Sequence, residues 1–341
     1  MNFVISKEKE IMAESYYLFS DGELKRKDNV LRMTAPDGNY KDIKINMTRD
    51  IYLFGEVSLN TKALNYAGQL SIPIHIFNYY GFYTGSFYPK ETNVSGKLLI
   101  EQVMHYSNEE KRLEIAKAFI EAASYNILRN VRYYNERDRE LESTVSEIKG
   151  LRNEIERSSD INSLMGIEGS IRKVYYDCWT NIINQEVDFE KRVKRPPDNM
   201  VNTLISFVNS LMYTSCLTEI YVTQLNPTVS YLHSPGERRF SLSLDISEVF
   251  KPLVADRLIF SMLNRNMITE KDFDQDSNYY YLKDNGRKKV LKEYDEYLDR
   301  TIKHKELGRN VSYRHLIRLE CYKLIKHLIE DKKYEGFKIW W

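Results

Sequence analysis

Ile72-Pro73-Ile74-His75-Ile76-Phe77-Asn78-Tyr79-Tyr80-Gly81-Phe82-Tyr83-Thr84-Gly85-Ser86-Phe87-Tyr88-Pro89 is the stretch at which the fold declares itself. Two short runs of β-branched and aromatic residues flank an Asn-Tyr-Tyr-Gly turn, which predicts a strand, a turn and a strand. The same texture extends towards the N-terminus. Tyr16-Tyr17-Leu18-Phe19, Val30-Leu31-Arg32-Met33 and Ile51-Tyr52-Leu53-Phe54 are too short for independent helices, and Ser20-Asp21-Gly22 and Pro36-Asp37-Gly38 read as turns. Towards the C-terminus the apolar spacing changes from two to three-and-four: Leu98, Leu99, Val103, then Leu113, Ala116, Phe119, Ile120, Ala123, Ile127, Leu128 and Val131. That is helical periodicity. The chain therefore reads as α+β, a β-rich N-terminal domain over residues 1–92 followed by a larger all-α domain over 93–341.

Within the second part, helical patterns cover roughly 161–183, 199–224, 240–263 and 311–329. Asn135 to Asp160 is laced with charge and reads as a solvated helix and its connection. Tyr279 to Arg287 reads as a short hairpin turning at Asn285-Gly286. No run of 18 apolar residues exists, so no membrane-spanning helix is expected. Met1 to Glu10 lacks the apolar core of a secretory signal. Three widely spaced cysteines, Cys178, Cys216 and Cys321, argue against a disulfide framework and for a reducing cytoplasm.

Charge excludes one function class. The 50 Lys and Arg against 49 Asp and Glu leave a net charge of +1, so the chain is not a uniformly basic nucleic-acid coat, although local patches remain open. Absent motifs exclude others: no GxGxxG follows a strand, and GxxxxGK[ST], GxSxG and HExxH are missing. What remains is a scattered set of acids and one histidine. Asp245 and Glu248 are three apart on one helical segment, neighbours on one face. Upstream lies a loop in which Pro227 and Pro235 bracket His233. A histidine on a constrained loop before two acids reads as half of a metal site. Glu168 sits between Gly166 and Gly169 as a third contributor. Carboxylates with one imidazole favour Mg²⁺ or Mn²⁺ over zinc. Each residue also has an ordinary reading: a cap for Glu168, a hydrogen-bonded loop histidine for His233, solvent-facing charges for Asp245 and Glu248.

These segments resemble the CRISPR-associated protein one family, the metal-dependent DNA nucleases and spacer integrases of prokaryotic adaptive immunity. The resemblance rests on Leu164-Met165-Gly166-Ile167-Glu168-Gly169, on Lys194-Arg195-Pro196-Pro197-Asp198-Asn199 running on to Phe207, on Leu225-Asn226-Pro227 through Tyr231-Leu232-His233, and on Ser241-Leu242-Ser243-Leu244-Asp245-Ile246-Ser247-Glu248. The Gly81/Gly85 segment and Tyr281-Leu282 also fit in order. Ser230, where a glycine is expected, and Gln224 depart from the pattern without removing a ligand.

The resemblance implies an N-terminal β-sandwich used in dimerisation and a helical catalytic domain. It places the family's metal ligands on Glu168, His233 and Glu248, with Asp245 as the accompanying catalytic acid. His233 fits a ligand or a general acid/base equally. Implied partners are double-stranded DNA (prespacer and CRISPR repeat), a second copy of the chain, and a dimer of CRISPR-associated protein two. Spacers of unrelated sequence must be held through phosphates. Candidate contacts are Lys191, Arg192, Lys194 and Arg195, then Asn202, then Arg287, Lys288 and Lys289. Arg314 and Arg318 join them from a C-terminal stretch, 301–341, with ten Lys and Arg against five Asp and Glu. The competing class is a scaffold subunit that binds DNA without chemistry.

Overall fold

The computed structural model describes residues 13–194, 196–236, 240–276, 279–330 and 332–340. The chain divides into two compact units, Met1–Thr92 and Asn93–Trp341. The expected absence of a signal at Met1 to Glu10 falls outside the described residues.

The first unit holds β1 (Glu14–Leu18), β2 (Gly22–Lys27), β3 (Val30–Thr34), β4 (Tyr40–Ile43), β5 (Thr48–Leu53), β6 (Val57–Leu59), α1 (Thr61–Gln69), β7 (Ile74–Phe77) and β8 (Tyr83–Phe87). They form two four-stranded sheets, ordered β1-β5-β7-β8 and β4-β3-β2-β6. Leu18, Ile51, Leu53 and Ile74 of one sheet share a core with Leu24, Leu31, Met33 and Ile43 of the other. The turn glycine Gly22 (φ +144°) is obligatory, because a Cβ there would lie 2.1 Å from the Thr34 carbonyl oxygen. The reading as strands and turns missed α1. Strands β5 and β7 are parallel neighbours, and parallel strands need a crossover. Asn60 starts that crossover helix, its side chain accepting from the Ala63 N–H at 2.9 Å, and Ala63, Tyr66 and Ala67 are its buried stripe.

The second unit is mostly helical: α2 (Gly96–Ser107), α3 (Glu109–Asn135), α4 (Glu142–Glu154), α5 (Ile161–Asp177), α6 (Trp179–Ile182), α7 (Met200–Tyr221), α8 (Ser241–Phe250), α9 (Arg257–Asn264), α10 (Asp284–Asp299) and α11 (Tyr313–Glu330). Two small hairpins interrupt the expected all-α character, β9 (Phe273–Asp276) with β10 (Tyr279–Leu282) and β11 (Thr301–Lys303) with β12 (Asn310–Ser312). Helix α7 is buried along nearly its whole length and packs against α8 and α11, while α3 packs against α4, α5 and α8. No helix among the described residues is long and apolar enough to cross a membrane. All three cysteines are buried and unpaired.

Three local expectations need correction. Asn285-Gly286 is not a hairpin turn but lies in the first turn of α10. A Cβ at Gly286 would meet the Asp272 carbonyl oxygen at 2.7 Å, so the glycine serves close packing of that helix start. The charged stretch after Asn135 is less solvated than its composition suggests, since Val145 and Ile148 of α4 are buried. The pattern over 240–263 is not one α-helix. Pro252 has no N–H to continue it, and the chain passes into a π-helical turn (Pro252–Asp256), with Asp256 N–H donating to the Lys251 carbonyl at 3.0 Å.

Candidate metal centre

The loop between α7 and α8 is tied down before it reaches the histidine. The Leu242 N–H donates to the Pro227 carbonyl at 3.0 Å, the Ser241 hydroxyl to the Thr228 carbonyl at 2.8 Å, and the Ser230 hydroxyl to the His233 carbonyl at 2.5 Å. Ser230, which stands where the family pattern has a glycine, thus closes the loop instead of loosening it. At the centre lies Asp245, with no exposed surface. Its Oδ2 accepts the N–H groups of Tyr231 (2.7 Å) and Leu232 (3.0 Å), and its Oδ1 accepts the His233 N–H (3.0 Å). The same Oδ1 lies 2.8 Å from Nδ1 of His233. An oxygen that accepts backbone N–H accepts the ring N–H as well, which leaves Nε2 as the coordinating or proton-accepting atom. Burial alone would lower the His233 pKa, but the Asp245 hydrogen bond and the negative charges of Asp245 and Glu248 together outweigh it, and the net shift is upward.

Glu168 and Glu248 come from different helices and meet at one cation. Arg172, one turn beyond Glu168 on α5, donates from Nε to Glu168 Oε1 at 3.1 Å and from Nη2 to Glu248 Oε2. The other oxygen of Glu248 takes the Lys251 ammonium. Glu248 is almost completely buried, which by itself would raise its pKa; Lys251, Arg172 and His233 together hold it well below the usual carboxylate range. The expectation of solvent-facing charges on α8 is therefore wrong for both Asp245 and Glu248. A small cleft opens beside Glu168 and Arg172, lined otherwise by Ile120, Ala123, Ser124, Ile127 and Ile171.

Beneath Arg172 lies a second buried network. Asn130 of α3 donates to the Pro252 carbonyl (2.7 Å) and to the Tyr175 hydroxyl (3.2 Å), and it accepts from Arg257 Nε at 2.7 Å. Tyr175 also neighbours Asp256 and draws the pKa of that acid down in part. Oδ2 of Asp256 is buried without a partner, and burial pushes this acid up to about 7. Arg172, Lys251 and Asn130 were not singled out in the sequence, although Arg172 stands four after Glu168 and Lys251 three after Glu248, spacings that put each pair on one helical face.

The donor chemistry suits a hard divalent cation: two carboxylates and one imidazole, with negative charge that the fold already neutralises with cations. Among the described residues, however, no group of three or more His, Cys, Asp or Glu is arranged to hold a metal ion. The fit is therefore one of residue type, with the Arg172 guanidinium lying across the two glutamates. Asp245 is committed to the loop and orients His233 without joining the donors.

The basic residues divide. Lys191, Lys194, Lys288 and Lys289 are exposed, Lys289 reaching Asp272 at 2.7 Å. Arg192 is drawn inward, donating to Asn202 Oδ1 (3.0 Å) and the Ser206 hydroxyl (2.8 Å). Asn202 is fully buried and also donates to the Lys191 carbonyl at 3.0 Å. Arg287 is buried against Asp284, Arg314 between Asp295 and Asp299, and Arg318 meets the buried Glu219 at 2.7 Å. Asn202, Arg287 and Arg314, expected as nucleic-acid contacts, are thus buried with internal partners. Arg195 lies outside the described residues.

Acids and a carboxylate-oriented imidazole meet in the helical unit of an α+β chain, an ionisable cluster built from the residue types that hard cations prefer. Residues 16–296 match the family described as CRISPR associated protein Cas1, and the chain belongs to that family. It is 58% identical to the CRISPR-associated endonuclease Cas1 of Fusobacterium nucleatum over 97% of this chain and 98% of that one. The solved Cas1 protein of Thermotoga maritima superposes with a TM-score of 0.84 at 41% identity, covering 95% of this chain and all of that one. A casposase bound to integration product shares the fold, with a TM-score of 0.85 at 21% identity and 96% coverage of both chains.

Proposed function

We propose that the chain is a divalent-metal-dependent DNA endonuclease and integrase that joins the 3′-hydroxyls of spacer DNA to CRISPR repeat phosphodiesters. The observation that carries this reading is the meeting of Glu168 and Glu248, from separate helices, beside a histidine whose ring is fixed by Asp245. Glu168, Nε2 of His233 and Glu248 would hold Mg²⁺ or Mn²⁺, which when bound polarises a phosphoryl oxygen and stabilises the charge on the attacking or leaving oxygen. Asp245 keeps the ring in one tautomer, so Nε2 meets either the cation or the proton of the attacking hydroxyl. The exposed Lys191, Lys194, Lys288 and Lys289 supply phosphate contacts without reading sequence. The unit over 93–341 is the catalytic one and 1–92 serves dimerisation, and the dimer works in the cytoplasm with a dimer of CRISPR-associated protein two.

One observation favours the scaffold alternative: an arginine already lies between the two glutamates. Strand joining of prespacer DNA into a repeat target separates the readings, run with Mg²⁺ or Mn²⁺ and with the smaller partner. Glu168→Ala or His233→Ala is expected to lower joining at least a hundredfold while duplex binding stays near wild type. Full joining by either variant would refute the site. A wild-type chain that binds the target and never joins it would leave the scaffold.

A further inference from the structure

We propose that Arg172 is the positioning residue of this centre, a resident counter-cation that ties Glu168 to Glu248 until a divalent ion displaces it towards a second seat at Asp256. The inference rests on the proposed metal site. Three observations carry it, and the first is connectivity. The Arg172 fork spans both glutamates, Nε to one and Nη2 to the other, while Lys251 takes the remaining oxygen of Glu248. Two glutamates brought together, one of them buried, repel each other, and the guanidinium relieves that repulsion. It also occupies the oxygens that a metal would use. An ion of charge +2 and a guanidinium repel when they share two carboxylates, so the two occupants compete.

The second observation is the orphaned acid next door. Asp256 is buried to 1% exposure, and its Oδ2 has no hydrogen-bond partner. An orphaned buried oxygen is costly, and native structures retain few of them. Arg172 lies close enough to Asp256 for the two charges to act on each other. Asp256 has Tyr175 for a neighbour, and Asn130 fixes the Tyr175 hydroxyl at 3.2 Å. The seat is built before its occupant arrives.

The third is the backbone that builds it. Asp256 closes the π-helical turn at Pro252. One extra residue in that turn rotates the succeeding helix relative to a regular one, and such turns are common at functional sites. The consequence is a two-position logic. Without metal, Arg172 holds the glutamates close and the fold intact. With metal, the guanidinium moves to Asp256 and the glutamates change partners. A lysine could not do the first task, since a single ammonium lacks the planar fork.

The test is Mn²⁺ binding to the full-length chain, by titration calorimetry and by the Mn²⁺-induced shift of the thermal midpoint, in wild type, Arg172→Gln, Arg172→Lys and Asp256→Asn. Arg172→Gln is expected to melt lower in chelator, yet to bind Mn²⁺ about tenfold tighter and show the larger upward shift. Arg172→Lys, which keeps the charge and should fold if the glutamine variant does not, is expected to bind a few-fold tighter. Asp256→Asn is expected to bind several-fold weaker, because the displaced guanidinium loses its seat. A merely structural arginine would give the opposite sign, with affinity falling in both Arg172 variants, and that result overturns the proposal. Unchanged affinity with lost strand joining would assign Arg172 to a DNA phosphate and overturn it equally. Glu248→Gln separates this from failure of the metal site itself. If that variant binds Mn²⁺ as wild type does, the ion sits elsewhere and the proposed site falls. If it loses Mn²⁺ while Arg172→Gln gains nothing, only the counter-cation fails.

Discussion

A single buried carboxylate, Asp245, organises more of the site than any proposed ligand does. It accepts three consecutive backbone N–H groups and the imidazole of His233. Asp245→Asn puts an amide hydrogen where one of those donors points, and a buried donor left unpaired costs about 1–3 kcal/mol. The variant is therefore expected to lose stability of that order in urea unfolding and at least tenfold in strand joining, with His233 no longer held in one orientation. An Asn variant as stable and as active as wild type would remove Asp245 from this role. Much of this was legible in the sequence. The order and spacing of Glu168, His233, Asp245 and Glu248 marked the segments, and the i, i+3 relation put two acids on one face. Their burial was not legible, because spacing along a helix says which residues are neighbours and nothing about what packs over them. Arg172 and Lys251 escaped notice for the converse reason: a cation one turn from an acid is an ordinary surface pattern until a second acid arrives from another helix.

Among the elements, the strands of the first unit carry their own titration. His75 on β7 is fully buried, with Nδ1 2.7 Å from the Ser86 hydroxyl of β8. Burial lowers its pKa from 6.5 to about 4, and the nearby Asp50 charge only partly offsets this. A histidine lowered in the fold contributes stability that is present above pH 6.5 and lost as pH falls towards 4. Such a shift corresponds to about 3 kcal/mol. Hydrogen exchange of β5 and β7, corrected for intrinsic rates, should therefore accelerate between about pH 7 and pH 4.5. Equal protection at both values would show that His75 is not held neutral. Element type was readable wherever periodicity was strong, as in α3 and α7. It failed where one residue has two uses. Asn285-Gly286 is both a strong hairpin dipeptide and, here, a helix start that needs a missing side chain to clear Asp272. Pro252 broke a clean helical pattern because apolar spacing does not register a lost N–H.

For the whole molecule, near-neutral net charge and the proposed sequence-independent DNA binding are compatible only if charge is sorted in space. The fold performs that sorting by pairing Arg192, Arg287, Arg314 and Arg318 internally and leaving lysines such as Lys288 at the surface. Binding of duplex DNA should weaken steeply with salt. A Lys288→Ala/Lys289→Ala variant should flatten the log–log slope by about one for each phosphate no longer neutralised. A slope and an affinity both unchanged would place the DNA on another face. The change of spacing after Pro89 had already divided β-rich from helical chain. Which cations would be internal was not readable, because their acidic partners lie far away in sequence: Glu219 for Arg318, for example.

Helix α7 carries one more consequence. Apart from Ser206, Asn209 and Ser210, every residue from Met200 to Tyr221 is buried, so the helix has no wet face of its own. Such a segment cannot stand until its neighbours have closed around it. Trimmed fragments that keep α7 but drop α8 or α11 would expose an oily rod and precipitate, so the helical half of this chain must be expressed whole or not at all.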